Sequence, residues 1–226
     1  MEVYMLTLSP SIKNQNPNIP FGIMVMHNVQ NPKNHPILNA EKKELEEHIR
    51  KIYGHLNRAE LKQTSPLMEY NAFYKQFKKT YHVQLQIESI AHKQKALPSV
   101  ASLVEAMFMA ELKNQLLTAG YDYDKLQGPL EVTFSTGENS FIGIGGKEKN
   151  PPSKDVVLSD NNNILGSILC GPDHQCRITE QTTNVLFAIY GVPNISQSDI
   201  HNHLDDIANY VRIISPDARI ETVIVV

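Results

Sequence analysis

Tryptophan is absent from the 226-residue chain, and aromatic residues make up only 7% of it. Cysteine occurs twice. Two thiols cannot build a disulfide framework, and they suit a reducing cytoplasm, where the chain is expected to reside. No apolar run approaches the ~20 residues that a bilayer-spanning helix needs, so no membrane partner is expected. The first ten residues, MEVYMLTLSP, lack a basic start and carry Glu2, which argues against a secretory signal. A bulk charge of one sign is missing too. Lys and Arg number 21 against 24 Asp and Glu, a formal net charge of -3. Such a balance excludes a protein that coats nucleic acid by overall positive charge.

What is present is ordinary globular material, with 41% apolar and 20% charged residues. Folding a chain of this length removes roughly 70% of its unfolded surface, enough for a core without staples. Length alone allows one or two domains. The small net charge hides an asymmetry. Residues 1–95 hold 13 Lys and Arg against 8 Asp and Glu, and residues 96–226 hold 8 against 16. The basic half either offers a local anion-binding patch or simply carries more solvated helix faces.

Hydrophobic periodicity orders the chain. Residues 2–8 and 21–29 are rich in apolar and β-branched types and are expected to be strands. Leu45, Ile49, Ile52 and Leu56 then fall on one helical face, with Asn39 as the expected N-cap and Gly54 near the end. Ser65-Pro66 is expected to open a second helix that buries Tyr70, Phe73, Tyr74 and Phe77 and exposes Lys75, Lys78 and Lys79. Residues 84–93 read as a short helix or, because VQLQI alternates, as a strand. A long one follows from Leu97-Pro98-Ser99, along Val100, Leu103, Val104, Met107, Ala110, Glu111 and Asn114, with Gly120 as its C′ glycine. From Leu130 short strands are expected at 130–136, 140–144, 156–159, 164–169 and 185–190, separated by glycine and asparagine turns. Ser196 or Ser198 caps a last helix, and RIETVIVV at the end predicts a buried strand. Loops are expected at 14–18 and 150–155. Helices and strands segregate, so the fold class is α+β with a mixed sheet.

Familiar site motifs fail on spacing. Gly143-Ile144-Gly145-Gly146-Lys147 lacks the four residues between glycines and the Lys-Ser/Thr of a phosphate loop, and Pro151-Pro152 follows, so it predicts a hairpin turn. Cys170 and Cys176, with His174 between them, lack the spacing and the second ligand pair of a zinc site. His201 and His203 stand two apart on a predicted helix and do not share a face. No Gly-x-Ser-x-Gly elbow occurs. No metal and no cofactor are expected.

The most specific signal is an ordered series beginning at Tyr121. YDYDKLQGP leads into a strand, Gly137-Glu138 and Gly145-Gly146 make turns, VLSD fills Val157–Asp160, a strand runs to Gly171, and ITEQTTNVL occupies Ile178–Leu186. This series resembles the B3/B4 domain of the phenylalanyl-tRNA synthetase beta chain and, more closely, the free-standing bacterial B3/B4-domain proteins. The block covers about 70 residues, and about 120 with the helices before it. The resemblance implies a three-layer β/β/α module, with residues 1–226 as a single domain built from N-terminal strands and basic helices (1–95) and a motif-bearing core (96–226). It also implies a pocket for the amino acid of a mischarged tRNA, where the ester to the tRNA is hydrolysed. Editing of that kind is needed because a pocket built for one side chain rejects an added hydroxyl only weakly.

The sequence departs from the pattern in three places. Ala188 stands where the resemblance puts a glutamate that accepts a tyrosine hydroxyl. Ala101 and Glu105 replace an Asn and an Asp on the long helix, and Gln175-Cys176 precedes Arg177 where an Arg-Thr pair is usual. Candidate substrate-binding residues are Gly171, Pro172 and Asp173 in a loop after a strand, Thr179 and Thr183 as hydroxyl donors, Ala188, and Glu138 and Asp122 as carboxylates for an α-ammonium group. Turn or cap roles compete for the threonines and the carboxylates. His174 is a candidate general base, or an exposed loop histidine. Lys75, Lys78, Lys79, Lys93 and Lys95 are candidate tRNA contacts. Two functions stand side by side: a hydrolase acting in trans on mischarged aminoacyl-tRNA, and a non-catalytic module that binds tRNA or an amino-acid-like ligand. The chain is too short for an aminoacylation core and shows no ATP site.

Overall fold

A computed structural model describes residues 6–15 and 19–226. Strand β1 (Leu6–Leu8), helix α1 (Pro10–Gln15) and β2 (Phe21–His27) come first. Five helices follow: α2 (Pro36–Tyr53), α3 (Arg58–Leu61), α4 (Leu67–Gln76), α5 (His82–Lys93) and α6 (Ser102–Asn114). The strand-rich part holds β3 (Thr118–Asp122), β4 (Leu130–Phe134), β5 (Phe141–Ile142), β6 (Glu148–Lys149), β7 (Val156–Ser159), β8 (Ile164–Ser167), β9 (Gly171–Pro172) and β10 (Asn184–Tyr190). Helix α7 (Gln197–Ile214) and β11 (Arg219–Val225) close the chain.

The strands form two packed sheets and a small β5-β6 hairpin. The first sheet runs β1-β4-β7-β8-β9 and is mixed, because β1 pairs parallel to β4 while its other pairs are antiparallel. The second runs β11-β2-β10-β3, all antiparallel. Helices α6 and α7 pack together over β3 and β2, and α2 lies against α5, α6 and α7. The result is a β/β/α arrangement with a mixed sheet. Its apolar core takes side chains from both halves of the sequence, Tyr70 and Ile87 as well as Leu130 and Phe187.

Close approach sets the layer spacing. A Cβ on Gly166 of β8 would lie 2.5 Å from Tyr121 Oη, and one on Gly22 of β2 would lie 2.3 Å from Ile200 Cγ2 of α7. Only glycine lets the sheets meet at the first point and the helix seat at the second. Buried tyrosines join the helices to the sheets. Tyr70 Oη donates to Tyr190 O (2.8 Å) and accepts from Leu117 N–H (3.2 Å), while Tyr74 Oη donates to Ile168 O (2.9 Å). Tyr70 stacks on Tyr81 with ring centroids 4.5 Å apart.

Several local expectations are corrected. Helix α2 is capped by His35, whose Nδ1 accepts from Leu38 N–H, and Asn39 lies inside it. Ser65 makes no cap to α4. Helix α6 starts at Ser102 and stops at Gln115 in the left-handed conformation (φ 60°), so Gly120 belongs to β3, a strand the periodicity did not predict. Strand β11 is an edge strand with alternating exposure, so it is not buried as its composition suggested. Asn14 and Gln15 belong to α1. Residues 2–5 and 16–18, part of the first expected strand and loop, lie outside the described residues. Ser196 caps α7 as expected, in a reciprocal box with Asp199.

Two buried polar groups hold the helical layer. Lys42 Nζ of α2 meets Glu105 Oε2 of α6 at 2.9 Å, with the side chains 9% and 5% exposed, and Glu105 Oε1 accepts from Val100 N–H at 2.8 Å. His203 of α7 is fully buried. Its Nε2 lies 2.6 Å from Thr118 Oγ1 and its Nδ1 lies 3.1 Å from Asn114 Nδ2. Burial pushes the His203 pKa down to about 3, against an opposing pull from Asp206. No helix among the described residues is long and apolar enough to cross a membrane.

Lys42→Met strands the Glu105 carboxylate without its cation and should lower unfolding stability by about 3–5 kcal/mol. Urea denaturation reads this directly, and an unchanged midpoint would mean that the pair contributes nothing. His203 folds as the neutral ring, while in the unfolded chain it titrates near its ordinary ~6.5. The unfolded state therefore binds the extra proton as pH falls below that value, and stability should decline from there toward about 3. Melting curves of the wild type and His203→Asn across this range should show a weaker acid dependence in the variant.

Candidate functional site

Between α6, β3 and the β8–β9 turn lies a cleft of about 440 Å³. This is a small-molecule volume, within the roughly 300–1,000 Å³ of ordinary ligand sites. Its construction follows from helical spacing. Val104, Met107, Phe108 and Glu111 fall at i, i+3, i+4 and i+7 and present one face of α6 to the cleft. Opposite them run Ser167 to Pro172, and Ile178 and Tyr190 contribute from neighbouring segments. Gly120 lies in the lining, where a Cβ would come within 2.6 Å of Ile178 Cδ1 and 3.2 Å of Met107 Sδ. At the lip stands Ile144, 57% exposed, on the tip of the β5-β6 hairpin. Its N–H donates to Pro172 O (3.1 Å), and a bridge from Gly143 to Asp173 fixes the hairpin beside β9.

The polar groups gather at one end, where α5 begins. Glu111 is 1% exposed; its Oε1 accepts from Thr118 N–H at 3.0 Å, and its Oε2 has no hydrogen-bond partner. His82 Nε2 lies 3.7 Å from that oxygen. The separation makes a charge contact and is too long for a hydrogen bond. Burial lowers the His82 pKa, but the adjacent Glu111 carboxylate outweighs it and the net shift is upward. Lys79 lies at the same end, and its Nζ donates to Leu169 O (3.3 Å). Tyr190 is held protonated by burial, its hydroxyl 2.8 Å from that of Tyr121. The Cys170 thiol lines the cleft. Cys176 does not, and burial pushes its thiol up to about 12.

Of the residues expected from sequence to bind a substrate, Gly171 and Pro172 line this cleft and the others do not. Asp173 is buried and lines a separate cavity with Gln175; its carboxylate accepts from the N–H groups of Gln175 (2.8 Å) and Cys176 (3.0 Å), and burial raises its pKa. Asp122 is buried too, bonded to Thr182 Oγ1 at 2.8 Å and paired with Lys125 at 3.2 Å. Glu138 is exposed on a turn built by Ser135, Thr136 and Asn139. Thr179 belongs to a turn closed by Thr182, and Thr183 is exposed beside Val29. Ala188 is fully buried in β10, between Ile23 and Ala119. His174 lies outside the cleft, its Nδ1 3.1 Å from Arg177 Nη1.

The lysines divide into two groups. Lys75, Lys78 and Lys79 are exposed around the end of α4, beside the polar end of the cleft. Lys93 and Lys95 are exposed at the far end of α5, about 16 Å along the helix from His82. None of the five joins an ion pair among the described residues, whereas Lys42, Arg50 and Arg58 are committed to glutamates. No cluster of three or more His, Cys, Asp and Glu among the described residues could hold a metal ion.

Sequence reasoning missed Glu111 and His82 as cleft residues. The available signal was a carboxylate continuing the stripe of Val104 and Met107, a polar residue on a face otherwise apolar.

The fold has a solved counterpart. A crystal structure of an N-terminal fragment of the phenylalanyl-tRNA synthetase beta-subunit from Pyrococcus horikoshii aligns with 99% of this chain at 10% identity and a TM-score of 0.53. The chain spans 54% of that fragment's length. None of the curated proteins matches significantly. The family model of the B3/4 domain matches residues 69–217, which include α6, β3, β10 and every cleft residue, and on that match the chain belongs to the B3/4 domain family.

Proposed function

We propose that the cleft receives the aminoacyl end of a tRNA and that the protein hydrolyses mischarged aminoacyl-tRNA in trans, with residues 1–226 acting as one B3/4 unit. The observation that carries this reading is a small-molecule cleft with a polar end set beside three exposed lysines, Lys75, Lys78 and Lys79. An aminoacyl ester offers the matching pair of features, a compact side chain for the cleft and a phosphodiester chain for the cations. The ester is already activated. Water adds to its carbonyl carbon, the bond to the ribose oxygen breaks, and a free amino acid and a ribose hydroxyl result. Positioning the ester and the water supplies much of what this step requires. Gly171 and Pro172 form the wall against which the acyl group rests.

A second reading, binding without catalysis, is favoured by one feature. The hydroxyl–histidine hydrogen bond at the cleft, Thr118 Oγ1 to His203 Nε2, is buried in the helical layer; His82 faces Glu111, and the Cys170 N–H donates to Ser167 Oγ.

A panel of mischarged tRNAs separates the two. Release of amino acid above the buffer rate from at least one member is expected, and no release from any member would overturn the hydrolase reading. Binding of uncharged tRNA should weaken as salt rises. Replacing Lys75, Lys78 and Lys79 together with Ala should reduce the slope of log affinity against log salt by roughly 2 to 3. An unchanged slope would remove these lysines from the interface.

A further inference from the structure

The feature of the cleft that its own fold does not explain is the free oxygen of Glu111. This side chain is 1% exposed, and only one of its carboxylate oxygens is used, by Thr118 N–H. Oε2 is buried without a hydrogen-bond partner. Leaving a carboxylate oxygen dry and unpaired is expensive, and such a group in an otherwise apolar cleft is a demand for a donor. The nearest cation, the His82 ring at 3.7 Å, is too far to donate to it, and its side chain is 47% exposed.

We propose that Glu111 is the docking point for a primary ammonium group, and that the cleft takes an α-amino acid, as its ester or amide, with an apolar side chain. This rests on the aminoacyl-binding reading and deepens it. The polar head goes to the α5 end because that end holds Glu111, Thr118 and Lys79, so an ammonium and the neighbouring acyl oxygen both find partners there. The side chain then points along α6 toward Val104. The rise from residue 111 to 104 is about 10 Å, enough for a Leu- or Phe-sized group. That path passes Met107 and Phe108 and faces Ile178, and no charged group lines it. A cation also matches the site better than a neutral hydroxyl, since it brings an opposite charge as well as the missing donor to the buried carboxylate.

The test uses stable amides, so it does not depend on tRNA or on turnover. L-Leucinamide and L-phenylalaninamide, with their N-acetyl counterparts, are titrated into the full chain by calorimetry. Both amides should bind, and acetylation should weaken them roughly tenfold to a hundredfold. Glu111→Gln keeps an oxygen for Thr118 N–H while replacing the free one with a donor, so it should fold and lose a similar factor. His82→Ala should bind the amides at least as well as wild type. Equal binding of the acetylated forms, no binding of either amide, or a loss confined to His82→Ala would each overturn the proposal. The aminoacyl-tRNA reading fails separately, on deacylation: amide binding without release from any tRNA sinks that reading alone, and release with an acetyl-insensitive cleft sinks only this one.

Discussion

The approach of the two sheets at Gly166 decides where the other parts can lie. A side chain there would run into Tyr121 Oη, which is itself 2.8 Å from Tyr190 Oη. With glycine present, β8 comes down onto the second sheet and carries β9 with it. Gly171 and Pro172 are then held across from α6, and the space left between them is the cleft. The opposite face of the second sheet is closed in the same manner at Gly22, where α7 seats. Helix α6, packed on α7 and β3, has its position set from that side. The cleft is therefore a gap defined by two close approaches, one at each face of the same sheet. Its width follows from two glycine backbones pressed against the Tyr121 and Ile200 side chains.

The tyrosines extend this constraint to the N-terminal half. Tyr70 bridges Tyr190 O and Leu117 N–H with a single hydroxyl, and Tyr74 reaches Ile168 O. Both lie on α4, so the helix bearing Lys75 is fixed to the strands that build the cleft. The basic character of the first 95 residues thereby acquires a place. Lys42, Arg50 and Arg58 are consumed by glutamates inside the helical layer, while Lys75, Lys78 and Lys79 stay exposed next to the cleft's polar end. The charge asymmetry of the sequence was a sum over both kinds of lysine, and only tertiary structure tells them apart.

Legibility followed the range of the interactions concerned. Helix α7 was readable because its cap and its apolar stripe are local, and β2 and β10 because runs such as GIMVM and VLFAIY admit little else. Strand β3 was not readable. Its sequence, TAGYD, ends a helical pattern with a glycine that looks like a stop signal, whereas Gly120 is selected by the nearness of Met107 and Ile178 from other elements. The candidate site suffered similarly. Loop residues rich in Asp and Thr drew attention as ligands, yet Asp173 and Thr179 spend their polar atoms on closing turns, and Asp122 accepts from the distant Thr182 hydroxyl. A turn and a binding loop use the same residue types, and sequence carries no record of which partner the oxygen has found.

The fate of two carboxylate positions ties these points together. Glu105, on the long helix, is drawn into the helical layer by Lys42 and Val100 N–H and cannot serve a ligand. Ala188, where the resemblance puts a hydroxyl-reading glutamate, is sealed between Ile23 and Ala119. A carboxylate there would be buried with apolar cross-strand neighbours on both sides. What the cleft has in their stead is Glu111, six residues beyond Glu105 and on the face that Glu105 does not share. A carboxylate entering from the helix sits at the end of the cleft nearest the lysines, whereas Ala188 does not line the cleft. Under the proposed reading, the head group next to the cations is the part of a ligand that meets the negative charge, and the side chain is left to apolar contact.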